Sequence, residues 1–209
     1  MVLFDLNGTL TDPSPIGGAW GSPALGAEVL ALAVQTAMVD AILGISRSFS
    51  HHVESALRDK VRERGFDPAP IEQALEVARA LPAFPDTAPA LDVLAGAGRR
   101  LAVLTNSGAQ DGRGTLEANG LAERFARILG VDAVGSFKPH PATYRYALDE
   151  LGCDAAEVTY VSAHGWDLSG AAHAGMRTAL VLRRGRPPTA YRQPDTEGAD
   201  LAAVAAALA

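Results

Sequence analysis

Short unbroken apolar runs alternate with amphipathic stretches along most of the chain, and one long block near the N-terminus breaks that rhythm. Val2-Leu3-Phe4 stops at Asp5, just ahead of the turn-forming pair Asn7-Gly8, and reads as a short buried strand. The runs Leu101–Thr105, Ile128–Val131, Val158–Ser162 and Thr178–Leu182 read the same way. Helical patterns lie between them, near Gln110–Asn119, Pro141–Leu151 and Asp167–Ala174. Another at Thr87–Ala97 precedes the second strand, and Ala199–Leu208 closes the chain as a helix laid on the sheet. This alternation predicts an α/β fold, a doubly wound parallel sheet with right-handed crossovers.

The block from 13 to 85 holds no convincing strand. Pro13–Pro23, rich in Pro and Gly, reads as a linker. Leu25–Leu43 is a helix ended by Gly44. Ser48–Arg64 carries Val53, Leu57 and Val61 on one face and stops at Gly65. A third helix takes Asp67 as N-cap and Pro68 in its first turn, then Ile71, Leu75 and Ala78, before Pro82 and Pro85 end it. The expected organisation is a core of residues 1–12 and 86–209 with an all-helical cap, 13–85, inserted after the first strand. Glu28, Gln35 and Asp40 would make the first cap helix costly as a membrane span. It reads as a helix of a soluble domain, apolar around much of its circumference, with more than one face covered.

Composition narrows the partners. The 209 residues are 48% apolar and 20% charged, ordinary globular usage, and enough for one α/β domain with a large insertion. A net charge of −6 speaks against nucleic acid or an anionic membrane and leaves a small-molecule substrate open. The single cysteine, Cys153, excludes an intrachain disulfide and a thiolate metal cluster. Without a signal peptide the expected compartment is the cytoplasm, and the sequon Asn7-Gly8-Thr9 is accidental there.

Four strand ends carry polar clusters: Asp5; Thr105-Asn106-Ser107; Lys138, on the loop after the third; and Ser162-Ala163-His164. In a parallel sheet these ends share one edge, where such folds bind ligands. Each residue alone has a plainer use. Asp5 is a turn former, Lys138 a solvated loop lysine, Asp167 a helix N-cap, Tyr144 and Trp166 packing groups, His164 a bystander. Their joint occurrence, in this order, points to a functional site at that edge.

The stretch Asp5-x-Asn7-Gly8-Thr9-Leu10 resembles the opening motif of the haloacid dehalogenase superfamily, in which the first Asp is the nucleophile. Lys138-Pro139 with Tyr144 six residues on, and Val161-Ser162-Ala163-His164-Gly165-Trp166-Asp167, resemble the L-2-haloacid dehalogenase branch. The resemblance implies catalytic roles for Asp5, Lys138, Asp167 and Thr9, with Asp167 positioning or deprotonating a water. It places Asn7, Thr105, Asn106, Tyr144, Ser162 and His164 around the substrate. Thr9, Thr105, Asn106 and backbone amides of the following helix would hold a substrate carboxylate; Ser162 and Tyr144 would orient Lys138 and the carboxylates. A homodimer built on the apolar cap helix is a further implication.

Chemistry separates the branches. A phosphatase needs a second acid where Asn7 stands, and an amide cannot supply general-acid catalysis, worth roughly 10²–10⁴ in rate. It would also need Mg²⁺, and Ala163 at one acid position leaves a poor oxygen cage. No cofactor and no metal are therefore expected. Halide, by contrast, leaves without a proton. Two alternatives stay open: a phosphatase or phosphonatase-like hydrolase using Mg²⁺, and a non-catalytic homologue that binds a small ligand. One departure counts against the branch. Its cap arginine, which receives halide and substrate carboxylate, is missing; Val34 falls near that place, and Arg47, His51 and His52 are expected on a solvated face.

Overall fold

Val2, Leu3 and Phe4 alternate between two cores, so three residues suffice for the strand at the centre of the sheet. Leu3 joins Ala102, Leu104, Tyr160 and Leu180 on one face. Val2 and Phe4 join Leu101, Val103, Val161, Ala179 and Val181 on the other. The computed structural model describes all 209 residues. Its strands are β1 Val2–Phe4, β2 Leu101–Thr105, β3 Arg127–Gly130, β4 Thr159–Ser162, β5 Arg177–Val181 and β6 Thr196–Gly198. They form one parallel sheet in the order β3-β2-β1-β4-β5-β6. The order reverses between β1 and β4, and open α/β sheets bind ligands beyond the strand ends at such a point.

Helices α4 Thr87–Gly96, α5 Ala109–Ala118 and α8 Leu201–Leu208 cover the second face through Leu91, Leu94, Leu116, Leu201 and Val204. Helices α6 Pro141–Leu151 and α7 Gly165–His173 cover the first through Tyr144, Ala147, Leu151, Leu168 and Ala171. The doubly wound sheet predicted from the apolar runs is thus present. β6 was not foreseen, because Thr-Glu-Gly has no apolar run; it is a short edge strand, the form in which sheet edges are commonly kept.

Residues 13–85 contain helices α1 Pro23–Leu43, α2 Phe49–Glu63 and α3 Ile71–Arg79. The stretch expected as a linker is ordered instead: Ser14–Trp20 is a 3₁₀ helix with Ile16 fully buried. Close approach requires glycine at two places in this packing: a Cβ at Gly17 would lie 1.9 Å from the carbonyl oxygen of Ser22, and one at Gly26 of α1 1.8 Å from that of Pro13. Asp67 does not cap α3; its Oδ1 accepts from the N–H of Ala69 in the turn before the helix. By length and composition α1 is apolar enough to cross a bilayer. Here Leu25, Val29, Leu30, Ala33 and Ala37 form one buried stripe, while Val39, Ile42 and Leu43 near its C-terminal end are exposed. The expected cover on several faces is absent at that end.

The chain enters and leaves this helical block at adjacent points. Asp12 N–H donates to Pro82 O at 2.8 Å and Phe84 N–H to Leu10 O at 3.0 Å, with an antiparallel bridge between Thr11 and Ala83.

Candidate active site

Asp5 directly follows β1 and lies on the Leu3 side of the sheet. Its Oδ1 accepts from Lys138 Nζ at 2.7 Å and its Oδ2 from Thr9 Oγ1 at 2.6 Å. The same ammonium donates to Asp167 Oδ2 at 3.0 Å and to the carbonyl of Leu104 at 3.1 Å, and lies 3.0 Å from Tyr160 Oη. Lys138 is 1% exposed, so the solvated-loop alternative fails. Its place in the chain is held by Asn106, whose Oδ1 accepts the Lys138 backbone N–H at 2.9 Å. That bond leaves the Asn106 NH₂ group free to face the cleft.

Asp167 is buried at the third position of α7, with His164 at the N-cap position. It is no helix cap. Tyr144 Oη donates to its Oδ1 at 2.6 Å, and Tyr160 Oη and Ser162 Oγ donate to its Oδ2 at 3.0 and 3.2 Å. Tyr160 escapes a reading by pattern because it looks like any aromatic strand residue. The available signal is its place two residues before Ser162 on one strand face, together with the need of a buried tyrosine hydroxyl for a partner. Tyr144 and Ser162 therefore orient the carboxylate, and neither hydrogen-bonds Lys138 Nζ, whose partners are Asp5, Leu104 O, Tyr160 and Asp167.

Burial opposes ionisation of both acids, and their surroundings push them apart. For Asp5, the charges of Lys138 and His164 and hydrogen bonds from Lys138 and Thr9 outweigh burial and hold its carboxyl below the usual range. For Asp167, burial and the like charge of Asp5 outweigh Lys138 and Tyr144, and its carboxyl is raised. Lys138, between two acids, is raised despite its burial, and Tyr144 and Tyr160 are raised strongly by burial and by Asp167. Asp5 is thus the more readily ionised carboxylate. The protonation states of such a pair are set by unequal environments.

The cleft over Asp5 has a volume of about 80 Å³. Asn7, Thr105, Asn106, His164, Trp166 and Arg184 line its polar side, and Leu30, Val34 and Phe49 are among its apolar wall. Thr9 is fully buried and spent on Asp5, so it cannot also hold substrate. Thr105 Oγ1 accepts from Ser107 N–H at 3.2 Å, and Ala109 N–H donates to Asp132 Oδ1 at 3.1 Å. Of the backbone amides near the start of α5, expected to cradle an anion, those of Ser107 and Ala109 are thus engaged within the protein. Asp167 has no exposed surface and is absent from the cleft wall.

His164 and Trp166 are cleft walls, stacked with ring centroids 5.5 Å apart. His164 Nε2 is 3.1 Å from Asn7 O and 3.5 Å from Asp5 Oδ2. Gly8 permits this approach: its φ is +82°, and a Cβ there would stand 3.1 Å from that nitrogen. Val34 does face the cleft where a cap cation was sought. Arg47 Nη1 pairs with Asp40 Oδ1 at 3.2 Å. His52 is not on a solvated face but buried, with Nε2 3.2 Å from Asp40 Oδ2; His51 is exposed.

The seat of Tyr144 depends on Gly170 of α7. A Cβ at 170 would lie 2.5 Å from Tyr144 Oη, closer than real contacts allow. Gly170→Ala is expected to destabilise the fold by about 1–3 kcal/mol and to lower kcat as Tyr144 leaves Asp167. Thermal melting and steady-state kinetics check it; two unchanged readings would refute this packing role.

The donor set does not suit a hard divalent cation. No group of three His, Cys, Asp or Glu side chains comes together in the chain. An ammonium already sits between the two carboxylates, and Ala163 contributes only its N–H, which donates to Thr9 Oγ1 at 2.9 Å.

A buried lysine bonded to two carboxylates, at the carboxyl edge of a doubly wound sheet, marks this edge as the candidate active site. The chain belongs to the haloacid dehalogenase-like hydrolases, whose family model matches residues 1–175. It is 31% identical to an (S)-2-haloacid dehalogenase of Pseudomonas sp. (strain YL), over 97% of this chain and 91% of that one. A probable phosphatase of Dickeya dadantii (strain 3937) is 34% identical over 84% and 78% of the two chains. The matched stretch spans about half the length of two other relatives, (S)-2-haloacid dehalogenases 4A of Burkholderia cepacia and 1 of Pseudomonas sp. (strain CBS-3), 51% and 50% respectively. Among solved structures, an L-2-haloacid dehalogenase superposes with a TM-score of 0.91 at 26% identity, covering 99% of this chain and 97% of that one.

Proposed function

We propose that this chain hydrolyses the carbon–halogen bond of a small 2-haloacid through an ester on Asp5, without a metal. One observation carries the reading: Lys138 Nζ bonds Asp5 Oδ1 and Asp167 Oδ2 at once, supplying the positive charge that a divalent ion would otherwise bring. Asp5 Oδ2 is the oxygen nearest the cleft wall, 3.5 Å from His164, and is the attacking atom. It displaces halide from C2 in line; the C–O bond forms as the carbon–halogen bond breaks, and halide leaves with the electron pair. Oδ1 becomes the ester carbonyl oxygen. Lys138 stays bonded to it and stabilises the charge that develops when water adds to the Asp5 carboxyl carbon. Collapse returns the Asp5 carboxylate and releases the 2-hydroxy acid and one proton. Sealed behind Lys138, Tyr144, Tyr160 and Ser162, Asp167 acts on that step only through those donors. Its place is as second counter-ion to Lys138.

The small apolar-walled cleft favours this substrate over a sugar phosphate. Exposed Val39, Ile42 and Leu43 at the end of α1 support a second copy of the chain as the partner covering them. The phosphatase reading draws on the Dickeya relative, while Asn7 and Ala163 oppose it. Halide release insensitive to EDTA, with ¹⁸O from single-turnover water found on Asp5, is the expected result. Phosphate release abolished by EDTA would replace the proposal, and unlabelled Asp5 alongside product would reject the ester.

A further inference from the structure

The cleft contains one arginine with nothing to pair with. Deepening the dehalogenase reading, and resting on it, we infer that Arg184 receives the substrate's carboxylate from the core side, in place of a cation on the cap. Around the site every other cation is committed. Lys138 divides its three N–H groups among Asp5, Asp167, Leu104 O and Tyr160. Arg47 is held by Asp40. Arg183, immediately before, grips both oxygens of Asp86 at 2.8 Å and donates from Nε to Thr9 O at 3.1 Å. Its guanidinium also lies over the Phe84 ring, 3.9 Å from the centroid.

Arg183 thereby staples the end of β5 to the loop that carries Asp5. The next residue, Arg184, lines the cleft beside Asp5 and makes no hydrogen bond or ion pair with the protein. Asp12 is the one acid whose charge reaches it. That carboxylate is already taken by Ser14, through its N–H at 2.9 Å and its hydroxyl at 2.7 Å. A guanidinium presents a planar fork that matches a carboxylate bidentately. Opposite it the cap offers only Val34 and other apolar side chains, so the anion's partner belongs to the rigid sheet and not to the cap.

The test titrates the full chain with glycolate, a small hydroxy acid, and with bromide, by calorimetry, in wild type, Arg184→Met and Arg184→Lys. A carboxylate bound by a charged fork loses roughly tenfold to hundredfold in affinity when the fork is removed. Arg184→Met is expected to show that loss for glycolate, with Arg184→Lys between, and bromide unchanged within twofold. For 2-chloropropionate, KM rises by a similar factor and kcat holds, because the carboxylate is gripped equally before and during reaction. Arg184 is exposed, so the melting temperature stays put. Equal glycolate affinity in wild type and Arg184→Met overturns the inference, as does no glycolate binding by wild type or a loss of bromide instead. Absence of halide release by wild type would sink the dehalogenase reading while leaving the glycolate result to judge Arg184.

Discussion

Lys138→Met is expected to destabilise the fold by about 3–5 kcal/mol, the usual cost of removing one partner from a buried ion pair, and to abolish turnover. The variant leaves Asp5 and Asp167 facing each other with no cation, both buried, and Leu104 O loses a donor. One of the two acids must then take up a proton to remain inside. The pH dependence has a defined sign. Because Lys138 is raised in the folded state, its contribution is complete below the ordinary lysine pKa of about 10.5 and is lost as pH rises through the higher folded value. Wild type should therefore lose stability at strongly alkaline pH faster than Lys138→Met does. Urea denaturation at neutral and alkaline pH reads both effects; a variant as stable as wild type at neutral pH would remove the lysine from its assigned place.

Asp5→Asn should separate chemistry from folding. Turnover falls by about four orders of magnitude or more, because an amide oxygen is too weak a nucleophile to displace halide. Stability changes little. Lys138 keeps Asp167, Leu104 O and Tyr160, the Asn oxygen can still accept from it, and Asp167 is freed from a neighbouring like charge. Halide release measured beside thermal melting decides the matter. An Asp5→Asn protein that melts as early as Lys138→Met would make Asp5 a structural counter-ion instead.

The fold was legible because its strands are apolar runs on a regular spacing, each ended by a polar cluster. Asp5, Lys138 and Asp167 could be placed together from topology alone, since parallel strands deliver their ends to one edge. Tyr160 was not legible, because an aromatic in a buried strand looks like packing until its hydroxyl is seen between Lys138 and Asp167. Thr9 is expected from the resemblance both in catalysis and on the substrate carboxylate, and only the 2.6 Å bond to Asp5 shows where its hydroxyl is engaged. Prolines and glycines at 13–23 signal irregular backbone, but they do not tell a free linker from a packed 3₁₀ helix. Arg184 follows another arginine, and only three-dimensional accounting shows that Arg183 is committed while its neighbour is not.

The ammonium and the two acids come from residues 138, 5 and 167, and Asp5 and Lys138 are 133 residues apart in the chain. β1 is made first during synthesis yet occupies the middle of the sheet, between β2 and β4. Until Lys138 has been made, Asp5 lacks the ammonium that offsets its burial, and β1 lacks β4 on one side. A product truncated before Lys138 is therefore expected to leave the apolar Val2-Leu3-Phe4 segment open to aggregation and proteolysis.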